Sequence, residues 1–285
     1  MRSFLTFLSL FTLFFFFAPI LCLSVSPVGA VNETELLLPE KLKIGETEVA
    51  TADVILGMVA AMDLRGYHQE TLKAAAVISA TNLIKHYRET GKGDGLEVLT
   101  ADQAKEAWGD YWFSQYWAQM QQAVAETWGE TLTKDGTLYS EAKTFPVSWG
   151  NTESGVECPL DETSNHFQTT VTVPLEEFTA VFPNFGASLQ IKKAQSGRVD
   201  TVTSGSTVLT GIEMMKRFSL PSPAFTLTVT ASAVTFRCKG VGDGVGMSLY
   251  GANELAKQGI EYKEILKTFY PDTEIQEANR ELGSK

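Results

Sequence analysis

A glycine-rich segment near the C-terminus has the residue types and spacing that best suit chemistry. It covers residues 240–253 and carries glycine at four alternate positions, 240, 242, 244 and 246. Glycine lets a backbone turn tightly and approach another group closely, and a following helix would offer unpaired N–H groups at its start. The spacing differs from the Gly-x-Gly-x-x-Gly pattern of dinucleotide-binding loops. The segment therefore predicts a loop that approaches a ligand, without a nucleotide cofactor.

The same segment resembles the C-terminal signature of the stage II sporulation protein D and amidase enhancer family. That signature typically reads Gly-His-Gly-Val-Gly-Met-Ser-Gln-Tyr-Gly-Ala. Shorter matches follow the family's order upstream, at residues 70–74, 171–178, 197–199 and 220–225. The resemblance covers about residues 50–273, and it implies a role in peptidoglycan remodelling.

The resemblance also implies the chemistry of a lytic transglycosylase, which acts on glycan strands stripped of their peptides. A carboxylic acid protonates the glycosidic oxygen, and the resulting carboxylate then helps the muramyl 6-hydroxyl to attack. The family's acid is a glutamate eight residues before the Glu of its Glu-Ala-Leu-Lys motif, which corresponds to Met62 when counted from Glu70. A thioether has no proton to donate, so we expect a member that has lost catalysis. The alternative is an active enzyme that uses a displaced acid, either Asp63 or Glu70, although one helical step turns the Asp63 side chain by roughly 100°.

Other polar positions of the family's site have changed too. The usual histidine of the signature is Asp243 and the usual glutamine is Leu249. Alanine or asparagine replaces three further polar residues of the family, at Ala75, Ala80 and Asn82. Several losses together indicate a retained scaffold without its proton-transfer network.

The retained part of the cleft is where we expect a ligand. The predicted glycan-binding residues are Gly242, Gly244, Gly246, Ser248, Tyr250 and Trp149. The predicted function is binding or scaffolding of peptidoglycan glycan strands. A further alternative, suggested by the family's enhancer branch, is a partner protein that stimulates or recruits a cell-wall amidase.

No metal or other cofactor is expected. Some members of the family bind zinc through His and Cys in the segment that corresponds to residues 98–108, which here contains neither. A different zinc site made of Cys158, His166 and Cys238 has an unusual ligand spacing. Outside the cytoplasm the two cysteines could instead form a disulfide, or they could remain separate buried thiols; the sequence leaves both open.

Aromatic residues are concentrated between positions 108 and 128. A helical pattern through Trp108, Tyr111 and Trp128 predicts core packing, which is the usual role of such residues. Trp112 and Trp117 lie off that pattern and are better candidates for a glycan or partner surface.

The first thirty residues have the features of an export signal. Arg2 precedes an apolar stretch over residues 4–23, and Val28-Gly29-Ala30 has the small residues of a cleavage site. Because roughly 20 apolar residues can span a bilayer, an uncleaved membrane anchor at residues 4–23 is the alternative. We expect an extracytoplasmic, wall-associated protein that contacts the membrane only through this segment. A net charge of −11 argues against nucleic-acid partners.

Periodicity predicts a helical first third, with helices near residues 53–62 and 72–87 and a longer one from Thr100 to Trp128. Gly91 is the expected stop of the second helix, and Thr100 and Gln103 are expected to form a capping box at the start of the third. Alternating strands follow, with a hairpin turn at Lys134-Asp135-Gly136. Two helices return near the end. This order predicts an α+β fold, namely a helical N-terminal part, a mixed and mostly antiparallel β region and C-terminal helices. We expect a single unit of two intimate subdomains, in which residues 31–50 are a lead-in, 51–273 the family domain and 274–285 a polar tail.

Overall fold

The computed structural model describes residues 37–140, 142–183, 185–277 and 279–280. The predicted export signal, with its cleavage site and alternative anchor, lies outside the described residues. All described residues belong to one compact unit. Within them, no helix has both the length and the apolar character needed to cross a membrane.

Four helices form most of the N-terminal part. They are α1 (Thr51–Ala61), α2 (Gln69–Thr90), α3 (Ala101–Trp108) and α4 (Asp110–Glu126). The central helix α2 begins where the His68 ring accepts a hydrogen bond from the Glu70 N–H, and it ends at Gly91, whose φ of 69° is left-handed. The sequence predicted that glycine stop, and the structure confirms it.

The single helix predicted from Thr100 to Trp128 is wrong, since the chain breaks at Gly109. The predicted capping box of Thr100 and Gln103 is present and starts α3. Gly109 has φ 78° and ψ 158°, a conformation that essentially only glycine adopts. The break turns α4 relative to α3, and α4 itself ends at Glu126, before Trp128.

The β region is made of small sheets with mostly antiparallel pairing. One sheet has the order β11–β12–β7, formed by Phe225–Val229, Ala233–Lys239 and Gln168–Pro174. A second has the order β10–β9–β8, formed by Thr207–Thr210, Val199–Ser204 and Gln190–Lys193. Three short helices flank them: α5 (Leu175–Val181), α6 (Phe185–Ser188) and α7 (Gly211–Arg217). A two-stranded parallel pair joins β6 (Thr144–Phe145) to β13 (Met247–Ser248), just before the C-terminal helices α8 (Leu249–Lys257) and α9 (Tyr262–Phe269).

The predicted hairpin at residues 134–136 is confirmed. Strands β4 (Glu130–Lys134) and β5 (Thr137–Leu138) flank a turn in which Asp135 and Gly136 have φ values of 52° and 75°. Two consecutive left-handed residues make the type I′ turn that matches the twist of the flanking strands.

The described parts of the predicted lead-in (31–50) and polar tail (274–285) contain β-strands. Residues assigned to the lead-in form the hairpin of β2 (Lys41–Ile44) and β3 (Thr47–Ala50). Residues assigned to the tail form β14 (Glu274–Glu277), which pairs antiparallel with β4. The short strands β1 (Leu37–Leu38) and β15 (Asn279–Arg280) pair in parallel. The β14–β4 and β1–β15 pairings join segments that are distant in sequence, which the local pattern does not reveal, whereas the β2–β3 hairpin is local.

Two hydrophobic clusters account for the core. The first packs α1, α2 and α4 against α8 and α9, and its centre includes Val59, Val77 and Met120, all fully buried. The second lies between the two three-stranded sheets and α5 and α7, around Phe178, Phe182 and Phe236. The α+β fold predicted from the sequence is therefore confirmed.

Candidate functional site

The glycine-rich loop lies directly against the segment that follows β6. Val241 and Val147 exchange both backbone hydrogen bonds, at 2.7 and 3.1 Å. Further along, the Met247 N–H donates to the Lys143 carbonyl at 2.9 Å, and the Tyr250 N–H donates to the Pro146 carbonyl at 3.0 Å. Backbone hydrogen bonds therefore tie both ends of the loop to residues 143–147.

The alternate glycines are required by this close approach to the chain itself. Gly242, Gly244 and Gly246 all have positive φ, at 101°, 78° and 90°. A Cβ on Gly244 would lie 2.0 Å from the Trp149 ring, and one on Gly246 would lie 2.0 Å from the Lys143 carbonyl oxygen. The sequence predicted glycines that make room for a ligand. In the structure, protein atoms occupy the space that their missing side chains leave.

Trp149 lies beneath this loop and is largely buried, with 7% of its surface exposed. Its indole N–H donates a hydrogen bond to the Ser196 carbonyl at 2.7 Å. The ring thus fixes the glycine loop on one side, and its remaining surface borders a cavity on the other.

Ser248 is fully buried and belongs to a hydrogen-bonded group that the sequence did not reveal. It caps α8 by accepting from the Gly251 N–H at 3.1 Å, and its own hydroxyl donates to the Asp161 carboxylate. The Ser148 N–H donates to the same carboxylate oxygen at 2.6 Å. Burial raises the pKa of Asp161, and its second oxygen has no hydrogen-bond partner among the described residues. Asp161 is far from Ser248 in sequence and has no motif of its own, so only the fold brings it here.

Tyr250 is the predicted glycan-binding residue that faces open space. Its hydroxyl forms a 3.0 Å hydrogen bond with the Thr163 hydroxyl. It lines a cavity of about 410 Å³ together with Tyr67 and His166. Tyr67 and His166 are polar groups at this opening that the sequence did not assign to a glycan site.

Met62 is the C-cap residue of α1 and lies beside the strand that pairs with the signature motif. Its side chain is partly buried against the first hydrophobic cluster. The thioether sulfur is 3.9 Å from the hydroxyl of Thr144, and Thr144 is the register partner of Met247. The position that the resemblance assigns to the family's acid is thus next to the middle of the motif in this fold.

Asp63, the alternative acid, is held by another charge. It has a left-handed φ of 51°, and its carboxylate accepts from the Arg65 guanidinium through both oxygens, one bond being 2.9 Å long. Its side chain is 60% exposed. Arg65 in turn lies 5.6 Å from the centre of the Trp108 ring. Asp63 therefore belongs to a surface ion pair.

Glu70 is engaged as well. Its carboxylate accepts from Lys73 at 2.8 Å and from the Tyr262 N–H at 2.9 Å. Partial burial alone would raise the pKa of Glu70, but these hydrogen bonds outweigh it and leave the pKa below its usual value. Glu70 is therefore ionised near neutral pH and has no proton to donate.

The remaining departures from the family pattern are also explained by packing. Ala75, Ala80 and Leu249 are all buried apolar residues. Asn82 donates to the Ala142 carbonyl at 2.7 Å, and the Asp243 carboxylate accepts from the Val245 N–H at 3.0 Å. The three apolar residues contribute to the core, and the two polar ones stabilise neighbouring backbone.

The aromatic assignments are correct only in part. Tyr111 is 73% exposed, so its prediction as a core residue is wrong. Trp117, predicted at the surface, packs against the first cluster and stacks on Phe113. The surface position predicted for Trp112 is confirmed, since this residue is 46% exposed. The break at Gly109 explains both errors, because it resets the helical phase for everything after it.

Cys158 and Cys238 are separate buried thiols, each in a different hydrophobic cluster. No group of three or more His, Cys, Asp or Glu side chains in the described part of the chain is arranged to hold a metal ion.

The protein is an α+β unit in which the glycine-rich loop pairs with residues 143–147. The loop continues into helix α8, which Ser248 caps. The family model described as stage II sporulation protein matches residues 44–133. The stage II sporulation protein D of Bacillus subtilis (strain 168) is 26% identical over 299 residues, covering 91% of this chain and 86% of the relative. That of Bacillus amyloliquefaciens is 28% identical over 265 residues, covering 81% and 75%. These matches together support membership of the stage II sporulation protein D family.

Proposed function

We propose that this protein binds the glycan strands of peptidoglycan outside the cytoplasm and does not cleave them. The observation that carries the proposal is the environment of position 62. A methionine occupies it beside Thr144 and the signature motif, while the adjacent carboxylate of Asp63 is paired with Arg65. The binding surface is proposed around the opening lined by Tyr250, with Gly242, Gly244, Gly246, Ser248 and Trp149 supporting it.

None of the three carboxylates of Asp63, Glu70 and Asp161 is placed to act as the proton donor, which supports loss of catalysis. Glycosidic cleavage needs an acid within hydrogen-bond reach of the leaving oxygen. The carboxylates of Asp63 and Glu70 are already paired with Arg65 and Lys73. Asp161 has a raised pKa, but its carboxyl group is fully buried and cannot contact a glycan in this conformation.

Purified glycan strands stripped of peptides test this proposal directly. We expect the protein to co-sediment with the strands without releasing anhydro-muramyl ends. Met62→Glu would restore a carboxylic acid beside Thr144, and we expect this variant to release such ends. Met62→Gln is the matched control, because it has the same length and polarity but no acidic proton. Release of anhydro ends by the unchanged protein would overturn the proposal.

A displaced-acid enzyme is the second candidate, and one variant distinguishes it. If the unchanged protein cleaves and Asp63→Asn abolishes cleavage, Asp63 is the acid. If adding the protein instead accelerates a purified cell-wall amidase on intact peptidoglycan, the enhancer alternative is favoured.

The proposed location is tested at the N-terminus. Cleavage after residue 30 predicts a protein in the wall or extracellular fraction whose mass lacks the first thirty residues. A full-length mass in the membrane fraction would instead show that residues 4–23 act as an anchor.

A further inference from the structure

A second cavity, of about 690 Å³, lies on the outer side of the sheet of β7, β11 and β12. Its floor comes from the beginnings of β7 and β11 and from the end of β12. One wall is the tight turn of residues 194–198, which is closed by the hydrogen bond from the Ala194 N–H to the Arg198 carbonyl at 2.9 Å. Trp149 forms part of the lining. Because Trp149 also packs under Gly244, the cavity borders the glycine loop.

The cavity has a strong positive charge in an acidic protein. Three of its lining side chains are cations, Lys193, Arg237 and Lys239, and no described lining residue is a carboxylate. None of the three forms an ion pair with any described residue. Lys239 lies 5.5 Å from the centre of the Phe167 ring, a contact that leaves its positive charge unneutralised, so all three charges can act on a ligand.

The nearest acid to the turn does not neutralise this charge. The Glu153 carboxylate is bonded to Arg198 and accepts from the Ser196 hydroxyl at 2.9 Å. The Glu153 carboxylate is therefore paired with Arg198 and not with a cation of the cavity.

Uncharged polar groups surround the cations. In the register of the sheet, Arg237 lies between Thr226 and Thr170, and Lys239 lies opposite Gln168. Alternation along β12 puts Arg237 and Lys239 on the same face. Hydroxyl and amide groups beside cations suit a ligand that combines hydroxyls with spaced negative charges, which describes an acidic saccharide.

We infer that this cavity binds a carboxylate-bearing saccharide, and specifically the lactyl carboxylate of a muramyl residue in a glycan strand. The inference rests on the proposed function and names the charged group that the protein recognises. In peptidoglycan that carboxylate is free only where no peptide is attached, because the peptide is joined through it.

The test compares glycans that differ only in this charge. Strands stripped of peptides are used as prepared, or after chemical reduction of the lactyl carboxylates to alcohols. We expect the reduced strands to bind at least 10-fold more weakly at low salt, and the difference to shrink as salt is raised. A polyglutamate peptide of matched charge is the third probe, and we expect weaker binding of it than of the stripped strands.

Single substitutions of the three cations test whether this cavity is where the strands bind. We expect Lys193→Gln, Arg237→Gln and Lys239→Gln each to weaken binding of unreduced strands about 3-fold to 10-fold, in the range of single exposed charge contacts. Lys192→Gln is the matched control, since Lys192 is the neighbour of Lys193 but pairs with Asp200 at 3.2 Å and does not line the cavity.

The possible failures can be told apart. Equal binding of reduced and unreduced strands, or equal losses in the control and cavity variants, overturns this inference but leaves glycan binding intact. Equally strong binding of polyglutamate with the same variant dependence assigns the cavity to acidic peptides and also overturns it. Failure to bind any strand overturns the proposed function itself.

Discussion

Gly246→Ala should destabilise the protein far more than Gly259→Ala, although the two glycines have nearly the same backbone conformation. Their φ values are 90° and 87°. A Cβ on Gly246 would lie 2.0 Å from the carbonyl oxygen of Lys143, whereas a Cβ on Gly259 would have no atom within 4 Å. The pair therefore separates the effect of close approach from that of backbone strain.

The expected difference can be worked out from the contacts. A left-handed conformation costs an alanine about 1–2 kcal/mol at either position. At Gly246 the Lys143 carbonyl must also move, and it accepts hydrogen bonds from the Met247 N–H and the Tyr270 hydroxyl. Weakening a buried hydrogen bond costs about 1–3 kcal/mol, and overpacking costs a similar amount. We therefore expect a loss of about 3–8 kcal/mol for Gly246→Ala and of about 1–2 kcal/mol for Gly259→Ala.

Chemical denaturation followed by circular dichroism measures both losses as changes in the free energy of unfolding. The slope with denaturant should be the same for both variants, so that the midpoints report stability. If the two losses agree within about 1 kcal/mol, the loop can move away from residues 143–150 at little cost. The argument that the alternate glycines exist for this pairing would then be refuted.

Three further predictions follow from burial. Trp117→Ala should lower the free energy of unfolding by about 3 kcal/mol, because Trp117 packs on the core, and Trp112→Ala by less than about 1 kcal/mol; equal losses in denaturation would contradict the packing. Burial raises the pKa of Asp161, so the folded state holds this proton to higher pH than the unfolded state, and the stabilisation is complete below about pH 4 and lost as pH rises through the folded pKa. The unchanged protein should therefore lose stability relative to Asp161→Asn as pH rises from about 4, and a constant difference would argue against a buried acid. Burial raises the pKa of Cys158 to about 12 and that of Cys238 to about 11, so both should resist alkylation at pH 8 when folded. Both should react in denaturant without reductant, as seen by mass, whereas a disulfide would leave both unmodified.

Local features of the sequence predict most of the elements. The capping box of Thr100 and Gln103, the stop at Gly91 and the Asp135-Gly136 turn each depend on residues within one turn of each other. The break at Gly109 was missed because a glycine inside a helix costs only about 1 kcal/mol, so periodicity on both sides favours continuity. Strand β14 was missed because its partner β4 lies more than a hundred residues earlier.

The candidate site shows the same division between local and distant information. The sequence indicated, through its alternate glycines, that the backbone of this loop needs space. It could not show that Lys143 and Trp149 fill that space. Asp161 was missed for the same reason, since its partner Ser248 is 87 positions away. The cationic cavity combines one residue of β8 with two of β12, and no motif joins them.

The partly buried environment of position 62 suits a carboxylic acid that donates a proton. A glutamate has nearly the length of Met62, so its carboxyl group would lie partly buried beside the Thr144 hydroxyl. Partial burial disfavours the charged form and raises the pKa of a carboxylic acid, which keeps a proton available near neutral pH. The buried alkyl groups of Ala75, Ala80 and Leu249 cannot orient that acid or the substrate as polar groups would. A positioned general acid contributes about 10²-fold to 10⁴-fold to a rate, and we therefore expect Met62→Glu to cleave measurably above Met62→Gln but slowly. Cleavage that is fast from this single change would mean that the groups orienting the substrate lie elsewhere in the site.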